Sequence, residues 1–299
     1  MDFNSQAFRV RFLEEMDAVI ETVELTQLEL TELRRAKWTL EHPTMAIRLT
    51  NILGAPIEKG FNMLPQGWTR VLYSSVHSAL SRAIKVATFS LRRETTTPSS
   101  DRFHRFFVGT TGAIGGAFGL VSLPIELPIS TTAMLRSIAD IARSEGHNLS
   151  EVETQLACLE VFALGGRPSK NAKEKENRYW VVRAGLAKAI SEATTYIANR
   201  GIVSETAPAV VRLVAAIAAR FGVIVSEQIA AKAFPVVGAA TGSAINLIFM
   251  NHFQRMAKGH FTIKRLEKKY GSEQIEAVYR SVAVPISRKE NQGRPAQNI

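Results

Sequence analysis

The sequence predicts an all-α protein, a multi-helix bundle around two glycine-faced apolar central helices. Apolar residues recur at helical intervals along nearly the whole chain, and no strand-like alternation appears. Two uncharged segments, 106–125 and 233–254, also carry glycines three or four residues apart, which lets another backbone approach closely. The glycines predicted to pack helices are Gly109, Gly112, Gly116, Gly119, Gly238 and Gly242.

Composition places the chain among globular proteins rather than disordered ones, because 46% of its 299 residues are hydrophobic and 21% are charged. The net charge of +10 favours anionic partners such as phospholipid headgroups, nucleic acid or acidic proteins, or serves solubility alone. Cys158 has no second cysteine to pair with, which excludes an intrachain disulfide and suits a reducing compartment. The first residues lack the apolar core of a secretory signal.

The N-terminal third predicts helices of unequal length. Residues 5–41 contain neither proline nor glycine and repeat apolar residues at helical steps, which predicts a helix with room for one internal break. Proline and glycine punctuate short helices up to residue 66. A longer helix is predicted over 69–91, with one apolar side formed by Leu72, Val76, Leu80, Ile84 and Ala87. The polar run 92–101 predicts a surface loop.

Two prolines and a serine set the predicted boundaries in the middle of the chain. Pro124 and Pro128 predict a break, with a new helix starting near Pro128 and ending at Gly146. Ser150 and Glu153 match a capping box that opens the following helix. The charged run 165–177 predicts a second loop.

The C-terminal half predicts helices over 178–199, 207–221, 226–270 with a break near residue 235, and 272–282. No linker composition divides the chain. We therefore predict a single all-α domain over 1–285, interrupted by loops at about 92–101 and 165–177, with a disordered tail over 286–299.

A candidate polar site comprises Glu126, Arg136, Asn246 and His252. Glu126 stands between apolar residues and two prolines, where burial would raise its pKa and suit it to bind a cation, act as a base or pair with Arg136. Asn246 lies in an apolar helix and therefore needs a hydrogen-bond partner on a neighbouring helix. His252 follows on the same helix as a further polar group.

The sequence predicts no metal and no cofactor. His252 and His260 are eight residues apart, too far for ideal helical metal ligands, and the chain has no His-Glu-x-x-His motif. A phosphate-binding loop of the P-loop type would need a lysine after the glycine run, and none occurs between Lys85 and Lys170. No nucleophile elbow of the Gly-x-Ser-x-Gly type is present.

A basic cluster follows the second apolar segment and resembles a cytoplasmic juxtamembrane patch. Its members are Lys258, Lys264, Arg265, Lys268 and Lys269. Few aromatic residues accompany them and no nucleic-acid-binding module is recognisable, which argues against nucleic acid as the partner.

The two glycine-containing segments leave three arrangements open. A spanning helix needs about 20 apolar residues, and both segments reach that length. Threonine, serine and asparagine dilute their hydropathy, which disfavours insertion of either one alone. They could form the packed centre of a soluble bundle, touch the membrane surface, or insert as a pair.

Three stretches carry a family resemblance. The runs GAIGGAFGLVSLPIELP, LRSIADIARSEGHNLSEVE and GAATGSAINLIFMNHFQRMAKGHFTIKRLEKKYG resemble the bacterial EcsC protein family, and the similarity extends over about 45–282. The resemblance implies an all-helical fold and carries no assigned biochemical activity. The acid before the second proline is commonly Asp in such proteins, whereas this chain has Glu126.

The leading hypothesis for function is a non-catalytic bacterial protein at the cytoplasmic face of the inner membrane, binding anionic lipid or a membrane protein. One alternative is a hydrolase that uses a buried Glu126 with a polar group such as His252. The other is a soluble regulatory or interaction module without membrane contact. The sequence leaves the oligomeric state open.

Overall fold

The all-α fold is confirmed in the computed structural model, which describes residues 25–42, 45–89, 123–166, 177–200, 204, 206–234 and 239–282. Within these ranges the chain forms ten α-helices, a 3₁₀ turn at Val161–Ala163 and no strand. The helices are α1 Gln27–Glu41, α2 Met45–Leu53, α3 Glu58–Phe61, α4 Trp68–Phe89, α5 Leu123–Ser144, α6 Val152–Glu160, α7 Arg178–Arg200, α8 Pro208–Lys232, α9 Ala239–Tyr270 and α10 Ser272–Ser281.

The first helix starts at a capping box that the sequence analysis missed. The Thr26 hydroxyl accepts a hydrogen bond from the Glu29 backbone N–H, and the Glu29 carboxylate accepts one from the Thr26 backbone N–H. This exchange satisfies two backbone donors that a helix start leaves without partners. The long helix predicted over 5–41 therefore has a start inside it, at Gln27.

The predicted helix over 69–91 is confirmed as α4, at Trp68–Phe89. Every apolar residue that the periodicity assigns to one side of it is buried: Leu72, Val76, Leu80, Ile84 and Ala87. This face packs mainly against α5 and also against α8 and α6.

The break predicted between Pro124 and Pro128 is wrong, because α5 runs from Leu123 through both prolines. Pro124 lies in the first turn, where a missing N–H costs nothing. Pro128 is buried inside the helix and leaves one backbone carbonyl of the preceding turn without its usual donor. The predicted stop is confirmed, since Gly146 has φ +84° and the His147 N–H returns to the Ala142 carbonyl.

The capping box predicted at Ser150 is also wrong. The N-cap of α6 is Glu151, and no side chain caps the helix. The Ser150 side chain bonds to Asn148 instead of capping the helix, because Asn148 Oδ1 accepts hydrogen bonds from both the backbone N–H and the hydroxyl of Ser150.

The centre of the bundle lies where α8 and α9 meet the turn after α6. Phe162, Phe221, Phe249 and Phe253 form a buried aromatic cluster with ring centroids 5.1–6.4 Å apart. The interruption predicted between residues 221 and 226 is absent, because α8 continues through Gly222. Around this centre, α8 packs on α4 and α7, and α9 packs on α1 and α5.

Most of the glycine prediction falls outside the described residues. Gly109, Gly112, Gly116, Gly119 and Gly238 lie there, as do the loop at 92–101, residues 167–176 of the second loop and the tail over 286–299. Gly242 belongs to α9. From Ile245 onward the second apolar segment is core helix, with Ile245, Phe249 and Phe253 buried.

Candidate functional site

A solvent-open pocket surrounds Glu126 at one end of the bundle. It has an empty volume of about 480 Å³. The first turn of α5, the last turns of α8 and the loop after α3 form it, through Leu64, Leu123, Glu126, Leu127, Ser130, Gln228, Ile229, Lys232 and Ala233. We call it the Glu126 pocket.

Lys232, rather than Arg136, is the partner of Glu126. The Lys232 ammonium lies 2.5 Å from the Glu126 carboxylate, and both side chains are partly exposed. The burial expected for Glu126 is therefore not observed. Arg136 is exposed and stands ten residues further along α5, about 15 Å away at 1.5 Å per residue.

Asn246 finds the interhelical partner that its position in an apolar helix requires. The Gln228 side-chain amide donates a hydrogen bond of 3.0 Å to the Asn246 carbonyl oxygen, and both residues are buried. Because Gln228 also lines the Glu126 pocket, Asn246 supports this pocket from behind. The bond joins α8 to α9.

His252 lies in a different pocket from Glu126. It stands six residues along α9 from Asn246, which places it about 120° away around the helix axis. Its pocket lies between α9, α2 and the end of α1, and its residues are His42, Met45, Arg48, Ile248, His252, Arg255 and Met256. We call it the arginine pocket. The hydrolase hypothesis requires Glu126 and His252 in one site, and the structure places them in two different pockets.

The His252 ring is buried and only half satisfied. The Leu164 backbone carbonyl accepts a hydrogen bond from the ring, whereas Nε2 has no partner. Burial, together with the charges of Arg255, Arg178 and Arg48, lowers the pKa of His252 to about 4. The ring is therefore neutral at pH 7.

The predicted basic patch is largely neutralised by glutamates from other helices. Lys258 pairs with Glu145, Lys264 with Glu153 at 3.5 Å, Arg265 with Glu32 at 2.7 Å and Glu145 at 3.0 Å, and Lys269 with Glu29 at 2.7 Å. Hydrogen bonds from Lys258 and Arg265 lower the pKa of Glu145, although its burial opposes them. Lys268 is exposed. The patch thus ties α9 to α1, α5 and α6.

A buried polar network joins α6, α7 and α9, and the sequence analysis missed it. Arg183 donates two hydrogen bonds to Glu267, at 2.6 and 3.1 Å, and its guanidinium lies 3.9 Å from Glu160. His260 Nδ1 is 3.0 Å from the Tyr179 hydroxyl, and Nε2 is 3.6 Å from Glu160. The one signal in the sequence is an acid, Glu160, inside an otherwise apolar run.

Burial sets the charges in this network. It raises the pKa of Glu160 and lowers that of His260 well below its ordinary value. Both shifts favour the neutral forms, a protonated carboxyl beside a neutral imidazole. Glu160 and Arg183 also line a wide groove beside α7.

Several exposed large apolar residues are neighbours in the sequence of residues that line the two pockets. We call the residues Ile47, Ile52, Met63, Ile125 and Leu247 the apolar end. Met63 and Ile125 adjoin residues of the Glu126 pocket, and Ile47 adjoins Arg48 of the arginine pocket. Four of the eleven exposed large apolar residues in the described ranges are thus next in sequence to a residue that lines one of the pockets, Leu247 being next to Ile248, and Ile52 lies on α2 with Arg48.

The comparison with protein families decides the classification. The model of the EcsC protein family matches residues 27–266. The chain belongs to the EcsC protein family. This EcsC protein matches no curated protein and no solved structure.

Two further properties bear on function. Among the described residues, no group of three or more His, Cys, Asp or Glu is placed to hold a metal ion. In the same ranges one helix, α8, is long and apolar enough to cross a membrane, with a mean hydropathy of 2.0. Core helices of soluble proteins pass the same test, and α8 packs on both α4 and α7.

Proposed function

We propose that this EcsC protein acts without catalysis at the cytoplasmic face of the membrane, where it binds anionic lipid through the apolar end. The exposed apolar side chains next in sequence to pocket-lining residues support this proposal. Isolated apolar residues on a surface need no explanation, but several together at one end favour an interaction site. A bilayer interface accepts such side chains while basic neighbours meet the headgroups.

The charges around the apolar end fit an anionic surface. Arg48, Lys59 and Arg70 are exposed there, on α2, α3 and the start of α4. The ring contact between Phe61 and Trp68 holds the start of α4 beside α3. Each basic residue near an anionic surface contributes about 1 kcal/mol to binding.

The two uncharged segments of the sequence join the described structure at this same end. Leu123, which follows the first glycine run directly, lines the Glu126 pocket. Ala233, at the start of the second uncharged segment, lines it as well. Both uncharged stretches of the sequence are therefore connected to the bundle beside the Glu126 pocket.

Flotation of the full chain on liposomes, without detergent, tests the proposal. The chain should float with vesicles rich in phosphatidylglycerol and not with phosphatidylcholine vesicles, and added salt should weaken the binding. The double variant Ile47→Glu/Leu247→Glu should lose most of the flotation, because it places two carboxylates in the membrane face.

The matched control is Leu28→Glu/Val181→Glu, which adds the same charge at two exposed apolar positions on α1 and α7. An equal loss in both double variants would show that net charge alone matters and would contradict the proposal. A chain that never floats would exclude lipid binding and leave a membrane protein as the partner to seek.

A further inference from the structure

A groove beside α7 lies far from the apolar end. Residues of α6, α7, α9 and α10 line it, and we call it the α7 groove. Its volume of about 610 Å³ is within the roughly 300–1,000 Å³ of small-molecule sites. Lys264, which lines it, lies about 25 Å further along α9 than Leu247 of the apolar end, at 1.5 Å per residue. A ligand of this groove is therefore independent of the proposed membrane contact.

An uncharged strip of α7 forms one side of the groove. Its residues follow one another at steps of three or four, so they share a face of the helix. All of them are exposed and line the groove: Val181, Ala184, Ala187, Ser191 and Thr195. Because these side chains are short and uncharged, a methylene chain can lie along them and lose contact with water.

Glu160 brings a nearly buried carboxyl group to the same groove. Only 5% of its side chain is exposed, and the residue lines the groove. Its nearest polar neighbours stand beyond hydrogen-bond distance, with Arg183 Nε at 3.9 Å and His260 Nε2 at 3.6 Å. In the part of the chain that the structure describes, no group donates a hydrogen bond to this carboxyl. A buried polar group is ordinarily hydrogen-bonded, so the groove offers an acceptor that a ligand can satisfy.

The cations that line the groove are already committed to acids other than Glu160. Each has a partner: Arg183 has Glu267 through two hydrogen bonds, Lys264 has Glu153 at 3.5 Å, and Arg280 has Glu276. An anion in the groove would have to displace one of these pairs. An added cation instead finds the Glu160 carboxyl, which an opposite charge nearby would ionise.

We propose that the α7 groove binds a primary alkylamine, whose ammonium group donates hydrogen bonds to the Glu160 carboxylate while its methylene chain lies along the strip from Val181 to Thr195. A primary ammonium carries three N–H donors on one small atom, which suits a carboxyl with little exposed surface. The groove then pairs its buried acid and covers its uncharged strip with one ligand.

Binding of the amine should release a proton. Burial raises the pKa of Glu160, the charges of Arg183 and Lys264 oppose this, Glu267 adds to it, and the His260 ring is neutral. An ammonium ion that pairs with Glu160 therefore displaces the carboxyl proton to the solvent. An alkylamine stays charged up to about pH 10. Its affinity should accordingly be higher at pH 8 than at pH 5.

Titration of the full chain with hexylammonium chloride, followed by NMR, tests the proposal. The chain has three tryptophans, and Trp180 lines the groove whereas Trp38 and Trp68 do not. The indole N–H signal of Trp180 should therefore shift on binding while the other two stay in place. Hexanol, which has no charge, and hexanoate, which is an anion, should bind about tenfold or more weakly than hexylammonium.

Two variants examine the two parts of the site. Glu160→Gln replaces a protonated carboxyl by a neutral amide and should weaken hexylammonium binding about tenfold or more. Ala187→Trp fills the strip at an exposed position and should weaken binding in the same way. Circular dichroism verifies that each variant is folded, and the exposed Ala187 keeps the test valid even if Glu160→Gln does not fold.

The matched control is Glu153→Gln, the same substitution on the same helix and in the same groove. The Glu153 side chain is 72% exposed, so this variant should bind hexylammonium nearly as the wild type does. An unshifted Trp180 signal, hexanol that binds as tightly as hexylammonium, unchanged binding by Ala187→Trp, or equal losses in Glu153→Gln and Glu160→Gln would each overturn the proposal, whatever the flotation result.

Discussion

At the scale of single residues, Arg183 is the side chain on which the buried network depends. It holds Glu267 through two hydrogen bonds and approaches Glu160, and its side chain is only 17% exposed. We expect Arg183→Met to cost about 3–5 kcal/mol, because it leaves the largely buried Glu267 carboxylate without its counter-charge. Urea unfolding followed by circular dichroism measures this.

The same substitution at Arg212 is the control for that prediction. Arg212 pairs with Glu192 at 2.8 Å, but its side chain is 58% exposed. Arg212→Met should therefore cost at most about 1 kcal/mol. Equal costs at the two positions would mean that the network around Arg183 contributes no more than a surface ion pair.

His252 predicts a dependence of stability on pH. Its folded pKa of about 4 lies below the ordinary 6.5, so the unfolded chain binds more protons between these values. The contribution of His252 to the free energy of unfolding should therefore be fully present above pH 6.5 and should decrease as the pH drops toward 4. Between pH 7 and pH 4.5 we expect His252 alone to remove about 2 kcal/mol.

Urea unfolding at both pH values, on the wild type and on His252→Asn, measures this contribution. The variant should lose about 2 kcal/mol less than the wild type, while the remaining groups, His260 included, titrate in both. An identical pH dependence in the two proteins would contradict the neutral, buried state of His252.

Residue chemistry made some contacts predictable and left others hidden. An asparagine in an apolar helix must find a partner, and Asn246 does, but nothing local identifies Gln228 as that partner. The ion pair between Arg265 and Glu145 spans 120 positions of the chain, so no pattern within one helix reveals it. Lysines and arginines that appear as a free patch in the sequence are, in the fold, mostly partners of distant acids.

At the scale of helices, the two capping sequences make opposite predictions. Thr26 caps α1, whereas the Ser150 hydroxyl bonds to Asn148 and caps nothing. Thr26→Ala should therefore cost about 1 kcal/mol of unfolding free energy. Ser150→Ala, measured in the same urea titration, should cost at most a few tenths, and a cost equal to that of Thr26→Ala would contradict the assignment.

Helix periodicity was informative wherever one face of a helix packs, as in α4, whose predicted apolar face is wholly buried. Boundaries were less predictable, because packing outweighs local preference. Gly222 costs α8 about 1 kcal/mol, yet buried Phe221 and Ile224 on either side hold the helix together. The buried ring of Pro128 keeps α5 helical in the same way.

At the scale of the whole molecule, the positive net charge does not reveal which basic residues are paired with acids in the fold. The +10 charge of the chain suggested a basic face at 258–269, but glutamates of α1, of α6 and of the turn after α5 pair with most of its residues. These pairs hold the bundle together. Substitution there should therefore affect stability before it affects binding to a membrane.

Arg265→Glu tests this point. Arg265 pairs with Glu32 and Glu145, and reversal replaces two attractions by two repulsions. Since an exposed pair is worth about 0.2–1 kcal/mol, we expect a loss of roughly 1–3 kcal/mol and a lower Tm in a thermal melt. Lys268→Glu, the same reversal at an exposed neighbour, should leave Tm nearly unchanged; a larger fall for Lys268→Glu would contradict the assignment.

The contact between Lys37 and the last helix also governs how the chain can fold as it is made. The buried Lys37 ammonium donates hydrogen bonds to the backbone carbonyls of Tyr279 and Val282, at 2.6 and 2.8 Å, and the nearer of these lies 242 positions away. Ribosomes add about 5–20 residues per second, so α1 must wait on the order of tens of seconds for α9 and α10. During that time its apolar face stays open to chaperones, and the emergence of α10 from the ribosome becomes the event that lets α1 complete its contacts.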